Sequence, residues 1–396
     1  MAARRIMILG AGIFQVPLIQ TAHQMKIETI VLSYRESDPG LRIAGRSYIC
    51  STTDKKGVLE IAQKEKIDAI ITAASEIAVP TVSFVADQLN LPGILPEVAN
   101  LVCHKPSFKK FLCDNSIACP EFRSVHTIFE ALDVTKQFSF PVFIKPAEAS
   151  GSKGAFRIND AGELKEYFTE SQSNSYHGEI IIEKFIHGKE IGGEAVICKG
   201  EIIFFQPTQK FITDAFVPYT HLLPHNLTSV QLNKASSLIF QTSKSLGIEN
   251  ANINFDIIFD QDEPMLIDLG LRLGGNCLPQ LMKLHTGFNT LKAAIQFSLG
   301  DEIDLPDQFE SNPVAAYIII GKQGPHDYSL KNHEEAPGEL ESHVVAFDSY
   351  SYDNTVTEHD NHVSHPEGYF IFKGDSSNQL TEIIEKVHSI DWNTLS

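Results

Sequence analysis

The stretch Phe140-Pro-Val-Phe-Ile-Lys145-Pro-Ala-Glu-Ala-Ser150-Gly-Ser-Lys-Gly154 begins as a short apolar run and ends as a loop of small residues. Val142 to Ile144 has the branching and length of a buried β-strand, and it delivers Lys145 at its end. A loop so poor in side chains exposes backbone N–H groups that can fold over phosphate oxygens, while the lysine supplies a point charge. A Walker loop is excluded, because there the glycines precede a closing Lys-Ser/Thr, and here the lysine comes first. Around this element the chain reads as a small α/β unit. A strand is expected at Gly154 to Ile158, a helix after Asp160 and a strand at Glu179 to Glu183.

The next segment is Ile180-Ile-Ile-Glu183-Lys-Phe-Ile186-His-Gly-Lys-Glu190. It ends a strand on an acid, bends through apolar residues and reaches a second acid. Backbone groups of such a bend can read an adenine edge, and Glu190 can accept from ribose hydroxyls. Further on, Asn252-Ile-Asn254-Phe-Asp256 and Met265-Leu-Ile-Asp268-Leu-Gly270-Leu-Arg272-Leu-Gly274-Gly275-Asn276 form a hairpin turned at Gln261 to Pro264. Strand alternation lets Asn254 and Asp268 share a face, and hard oxygen donors there suit magnesium, with Asp256 as substitute. Arg272 is placed to bind a transferred phosphoryl group or an oxyanion.

Upstream, the segments Ile6 to Leu9, Val16 to Met25, Glu28 to Ser33, Lys56 to Glu65 and Ala69 to Thr72 alternate strand and helix, the rhythm of a parallel sheet covered by helices. The turn Gly10-Ala11-Gly12 invites a nicotinamide reading. The dinucleotide fingerprint, however, wants a small residue where Gln15 stands and an acid where the second strand ends in Ser33-Tyr34-Arg35. A structural or substrate-facing turn is therefore expected. Glu76 follows the strand Ala69 to Thr72 at the carboxyl end of the sheet, where ligands gather, and a substrate amine is its candidate partner. His221, in the connection from Asp214 to His225, and Gly275 and Asn276 are candidate substrate contacts.

The 396 residues require more than one domain. The formal charge of -18 argues against nucleic acid or an anionic membrane as main partner. Six cysteines without a CxxC pair point to reduced thiols and a cytoplasmic location. No apolar run approaches the ~18 residues of a membrane span. After about Leu305 come seven of the fifteen histidines among short β runs. His359, His362 and His365 recur there in what reads as a solvated loop, before a last helix at Leu380 to His388.

In their order these parts resemble the ATP-grasp superfamily, over roughly Arg5 to Asp304. The series is Lys105 in His104-Lys-Pro-Ser-Phe, Pro120, Ile144-Lys-Pro, Ser150-Gly-Ser-Lys-Gly154, Glu183 to Glu190 and Asp268-Leu-Gly-Leu-Arg272-Leu-Gly-Gly. The resemblance implies an α/β fold, α+β in the grasp domains. A Rossmann-like pre-ATP-grasp domain would span 1–103, an ATP-grasp domain 104–304 with a lid at about 122–186, and a small C-terminal subdomain 305–396. It also implies that Lys105 and Lys145 contact the phosphates of ATP and that the loop with Ser150, Gly151, Ser152 and Gly154 covers them. Glu183, Lys184, Phe185 and Ile186 would hold adenine, and Glu190 the ribose. Asn254 and Asp268 would hold magnesium or manganese, with Lys145 and Arg272 catalytic.

Family members usually carry glutamate where Asn254 stands and Glu-x-Asn-x-Arg at Asp268 to Arg272. The variant here looks like the L-amino-acid ligase and carbamoyl-phosphate-synthase-like branch. The implied activity is ligation of a small-molecule carboxylate to an amine through an acyl phosphate, in a possible homodimer. A nucleotide-binding regulator with an impaired metal site, or a carbamoyl-phosphate-synthase or biotin-carboxylase-like enzyme, stands as the alternative.

Overall fold

The computed structural model describes residues 3–148, 151–320, 340–349 and 366–390. Ser150, and the histidines at 359, 362 and 365, lie outside them. The chain opens with β1 (Arg5–Leu9), α1 (Val16–Gln24), β2 (Glu28–Ser33), α2 (Pro39–Ile43), β3 (Arg46–Ile49), α3 (Lys55–Glu65) and β4 (Ala69–Thr72). The strands form a parallel sheet in the order β3-β2-β1-β4. The middles of β1, β2 and β4 (Ile6 to Leu9, Ile30 to Leu32 and Ala69 to Ile71) are unbroken apolar runs because helices cover both faces of such a sheet. The glycine turn after β1 is filled from within. Gln15 Nε2 donates to Ala73 O at 2.5 Å, and a Cβ on Gly10 would lie 3.2 Å from Gln15 Cδ. The fingerprint's missing third glycine is thus a side chain that ties β1 to β4.

A 3-10 turn (Glu76–Ala78), α4 (Val79–Gln88), α5 (Pro96–Cys103) and α6 (Lys105–Asp114) lead out of this domain. A second antiparallel sheet, in the order β5-β8-β6-β7, follows. It comprises β5 (Phe122–Val125), α7 (Ile128–Phe138), β6 (Val142–Pro146), β7 (Phe156–Ile158), α8 (Ala161–Ser173) and β8 (Ile180–Lys184). α7 starts in a capping box, Thr127 and Glu130 each satisfying the other's backbone N–H. The strand expected from Gly154 starts two residues later, because Gly154 has φ +66° and turns the chain.

The central sheet is built from β9 (Lys189–Cys198), β10 (Glu201–Ile212), β11 (Pro218–Leu223), α9 (Ser229–Ser245), β12 (Ala251–Asp260) and β13 (Glu263–Gly270). α10 (Leu278–Thr286) and α11 (Thr290–Leu299) cover it before β14 (Val314–Ile320), β15 (Val344–Ser349), β16 (Pro366–Lys373) and α12 (Ser377–His388). The order is β13-β12-β9-β10-β11-β14-β16-β15. The C-terminal appendage is therefore no separate layer: its strands extend the sheet through the β11–β14 pairing. No helix among the described residues is long and apolar enough to cross a membrane.

β9 lies between β12 and β10, with Gly193 opposite Phe255 on one side and Pro207 on the other. A Cβ there would meet Gln206 O at 2.5 Å and Phe255 Cζ at 2.6 Å. Backbone cannot yield as a side-chain tip can, so Gly193→Ala is expected to cost about 1–3 kcal/mol through overpacking. Urea unfolding checks this, and an unchanged midpoint would show that the strands part freely.

Candidate functional site

Between the second sheet and the central sheet lies a cavity of about 500 Å³. Its acidic floor comes from the β12–β13 hairpin. Asp256 and Asp268 are directly opposed partners, and directly opposed residues share a face with Cβ atoms ~4.5–5.5 Å apart. The register then steps to Ile257 opposite Leu266, leaving Ile267 as an extra residue, and Ile267 and Asp268 both line the cavity. A bulge re-aims side chains in this way.

The metal pairing expected from the sequence is corrected here. Asn254 stands opposite Gly270 and does not line the cavity. Its Nδ2 donates to Gly193 O at 3.0 Å, and its Oδ1 accepts from Arg272 Nη1 at 3.2 Å. Both ends of the amide are spent on structure. The carboxylate partner of Asp268 is Asp256, so the acidic pair is intact.

Lys105, Lys145 and Glu183 also line the cavity. The Glu183 side chain, expected at adenine, meets two lysines: Oε1 lies 3.1 Å from both Lys145 Nζ and Lys109 Nζ. Burial would raise its pKa, but Lys109 and Lys145 outweigh burial and hold it below the usual range. Burial would lower Lys145, yet Glu183, Asp268 and Asp256 together outweigh it and raise its pKa. In Lys109 burial prevails and the pKa falls. Asp268 is held low, its burial overcome by Lys105, Lys145 and Lys109. Two lysines escaped the sequence reading. Lys109 is four residues after Lys105 on α6, a spacing that sets both on one face. Lys210 bridges Glu190 Oε1 (2.5 Å) and Asp256 Oδ1 (2.7 Å), and its signal was a lone lysine inside an apolar strand.

One wall is aromatic. Phe143 and Phe185 lie 5.0 and 6.1 Å from Phe216, and the Arg157 guanidinium sits 4.8 Å over Phe185. Lys184, Ile186 and Glu190 line the same space. Gly151 and Ser152 reach it too, and Ser152 Oγ donates to Phe216 O at 2.9 Å, clasping the small-residue loop to the β10–β11 turn. Gly154 does not face the cavity; it packs on Pro146 and Asn174.

Other candidates lie apart from this cavity. Arg272 borders a second one of about 770 Å³ and pairs through Nε with Glu76 Oε2 at 3.0 Å. Glu76 thus faces an arginine, where a substrate amine was the candidate partner. His221 is buried against Thr208 Oγ1 (2.7 Å), and burial with Lys210 nearby pushes its pKa down to about 3, leaving it neutral. Gly275 lies close to Ala74 and Phe14 of the first domain, and Asn276 has φ +51° in the turn before α10.

With this geometry in view, residues 138–280 match the ATP-grasp domain family model. That segment carries an ATP-grasp domain. It is 27% identical over 334 residues to the uncharacterized protein y4rH of Sinorhizobium fredii, covering 81% of this chain and 67% of that one. It is 26% identical to a formate-dependent phosphoribosylglycinamide formyltransferase of Maridesulfovibrio salexigens, over 47% of this chain and 48% of the relative. The match thus spans about half of that curated relative's length. The fold is also that of an L-amino acid ligase from Bacillus licheniformis, with TM-score 0.79 and 18% identity over 97% of both chains.

Behind the hairpin, Glu194 is buried, accepting from Gly274 N and Thr290 Oγ1 at 2.8 Å each. Burial raises its pKa from 4.5 to about 7. Between these values the folded protein holds a proton that the unfolded chain has lost. The stabilisation is full below 4.5 and is lost as pH rises through 7. Glu194→Gln removes this dependence, so its stability relative to the parent is expected to rise between pH 5 and 8. Urea titrations across that range decide it; a flat difference counts against a raised Glu194.

Proposed function

We propose that the protein is an ATP- and magnesium-dependent ligase that joins a small carboxylate to an amine, releasing ADP and phosphate. The observation that carries this reading is the opposed Asp256–Asp268 pair, which lines the same cavity as Lys105 and Lys145. Two adjacent carboxylates are the hard oxygen donors that magnesium takes while sharing phosphate oxygens, so the donor set fits the ion. Magnesium supplies charge neutralisation at the phosphates when bound.

In this scheme the aromatic wall and the bend at Lys184 to Ile186 hold the base, and Glu190 the ribose. Lys105 and Lys145 hold phosphate oxygens. The substrate carboxylate oxygen attacks the γ-phosphorus, and the bond to ADP breaks. The amine nitrogen then attacks the acyl carbon, the bond to phosphate breaks, and the amine loses a proton. Arg272 borders the neighbouring cavity and not this one, and the role assigned to it is to orient the reacting group from beside Asn254 on the hairpin. The loop through Gly151 and Ser152, clasped to Phe216, keeps water from the acyl phosphate. The domains we assign are 1–103 before the grasp, 104–304 for the grasp with its lid at about 122–186, and 305–396 completing the central sheet. The regulator reading rested on Asn254 and Gly270, and Asp256 weakens the first of these grounds.

ADP release is to be measured with Mg-ATP and a panel of amino acids, small carboxylates and bicarbonate, singly and in pairs. Turnover that requires one carboxylate and one amine is expected. It should fall at least ~100-fold in Asp268→Asn and Asp256→Asn, the scale on which lost transition-state charge stabilisation acts. Turnover undiminished in both variants would sink the assignment, and bicarbonate alone sufficing would move it to a carbamoyl-phosphate-synthase or biotin-carboxylase-like reaction.

A further inference from the structure

Gly270 and Glu76 come from different domains and meet at one point. Gly270 shares its strand face with Asp268, two residues earlier, and so carries no side chain where the hairpin approaches the first domain. A Cβ built there would lie 2.9 Å from Glu76 Oε2 and 3.3 Å from Arg272 Cζ. The volume a side chain at 270 would enter is taken by the Glu76 carboxylate. That carboxylate lies 3.0 Å from Arg272 Nε, and the pair is shielded, with side chains 15% and 16% exposed. Arg272 Nη1 is held separately, donating to Asn254 Oδ1 and to Leu273 O at 3.0 Å. Backbone fastens both partners, since Ala74 N donates to Leu273 O at 3.0 Å and Ala73 bridges Leu273 in parallel register.

We propose that Glu76 is a positioning residue for Arg272: its carboxylate, seated in the space that Gly270 leaves, aims the guanidinium and makes that aim conditional on the first domain docking against the hairpin. This rests on the reading of the protein as an ATP-dependent ligase. It gives the glycine at 270 a reason beyond flexibility. Gly270 is not in the left-handed region, so its backbone accepts a side chain, and the nearest atoms in its way belong to Glu76 and Arg272. The guanidinium has a planar, forked donor set, and a carboxylate 3.0 Å from its Nε attracts that edge as an ion pair without neutralising every N–H.

The test is thermal unfolding of the full chain with MgADP, then with MgADP and aluminium fluoride as the phosphoryl mimic. In the parent, MgADP is expected to raise Tm, and aluminium fluoride to raise it further. Arg272→Ala and Glu76→Gln should keep the first shift and lose most of the second, and the double variant should lose no more than either alone. Glu76→Asp should keep part of the second shift. Gly270→Ala should behave as Glu76→Gln, and Glu76→Ala with Gly270→Ala should recover the Tm that Gly270→Ala alone loses. Should Glu76→Gln not fold, Glu76→Asp and Gly270→Ala carry the same comparison. A full second shift in Glu76→Gln beside its loss in Arg272→Ala overturns the proposal, as do additive losses in the double variant. No response of the parent to MgADP fails the nucleotide reading itself. A response to MgADP with none to aluminium fluoride leaves that reading standing and overturns the Arg272 role.

Discussion

Lys109 on α6 and Lys145 on β6 both rest on Glu183 Oε1 of β8, each 3.1 Å away, and all three side chains are almost wholly buried. Desolvating an ion costs several kcal/mol even after relaxation, so such a group persists only where partners compensate it. Here two cations share one anion, and a surplus positive charge remains at the cavity edge. The same contacts set the geometry. Lys109 Nζ also donates to Leu266 O, on the strand that carries Asp268. Helix, second sheet and central sheet are thereby referred to a single carboxylate, and the phosphate-facing side of the cavity inherits its position from that point.

Around this pin, charge is segregated against the protein's average. The chain carries a formal charge of -18, yet the cavity gathers Lys105, Lys145 and Lys210 beside Asp256 and Asp268. Exposed charges are screened within a Debye length of about 8 Å at physiological salt, whereas groups in a partly closed cavity act on one another with little screening. The overall charge thus says little about what the cavity attracts. Lys210 is doubly paired, and its two acids outweigh burial to raise its pKa, which keeps it charged and in place between β9 and β12.

Much of this was legible in the sequence where one residue type carries one meaning. The unbroken apolar strands of the first sheet, the Lys-Pro after a strand and the acid four residues before Arg272 could be read directly. The pairing of Asp268 could not. Alternation places Asn254 and Asp256 on one face equally well, and only the register, with its extra residue at Ile267, selects Asp256. The side-chain role of Glu183 was hidden for a related reason. A strand-end acid looks alike whether it meets ligand or lysine, and its two partners lie 38 and 74 residues back in the chain. The aromatic wall depends on Phe216, brought to Phe143 and Phe185 by the β10–β11 turn and Ser152, a juxtaposition that no local pattern encodes.

The glycines make the same point from the opposite direction. Glycine inside a strand ordinarily costs packing and entropy, and Gly192, Gly193 and Gly270 all sit in strands. In the fold they make room. A Cβ on Gly192 would lie 3.0 Å from Asp256 Oδ1 and 3.2 Å from His221 Cε1; one on Gly193 would strike Gln206 O; one on Gly270 would meet Glu76. Each gap admits a group from a neighbouring strand or from another domain. The hairpin's chemistry is therefore set by side chains that lean in across the sheet, as much as by those its own strands carry. A glycine there constrains its neighbours more tightly than a side chain would, because the space it leaves is already filled.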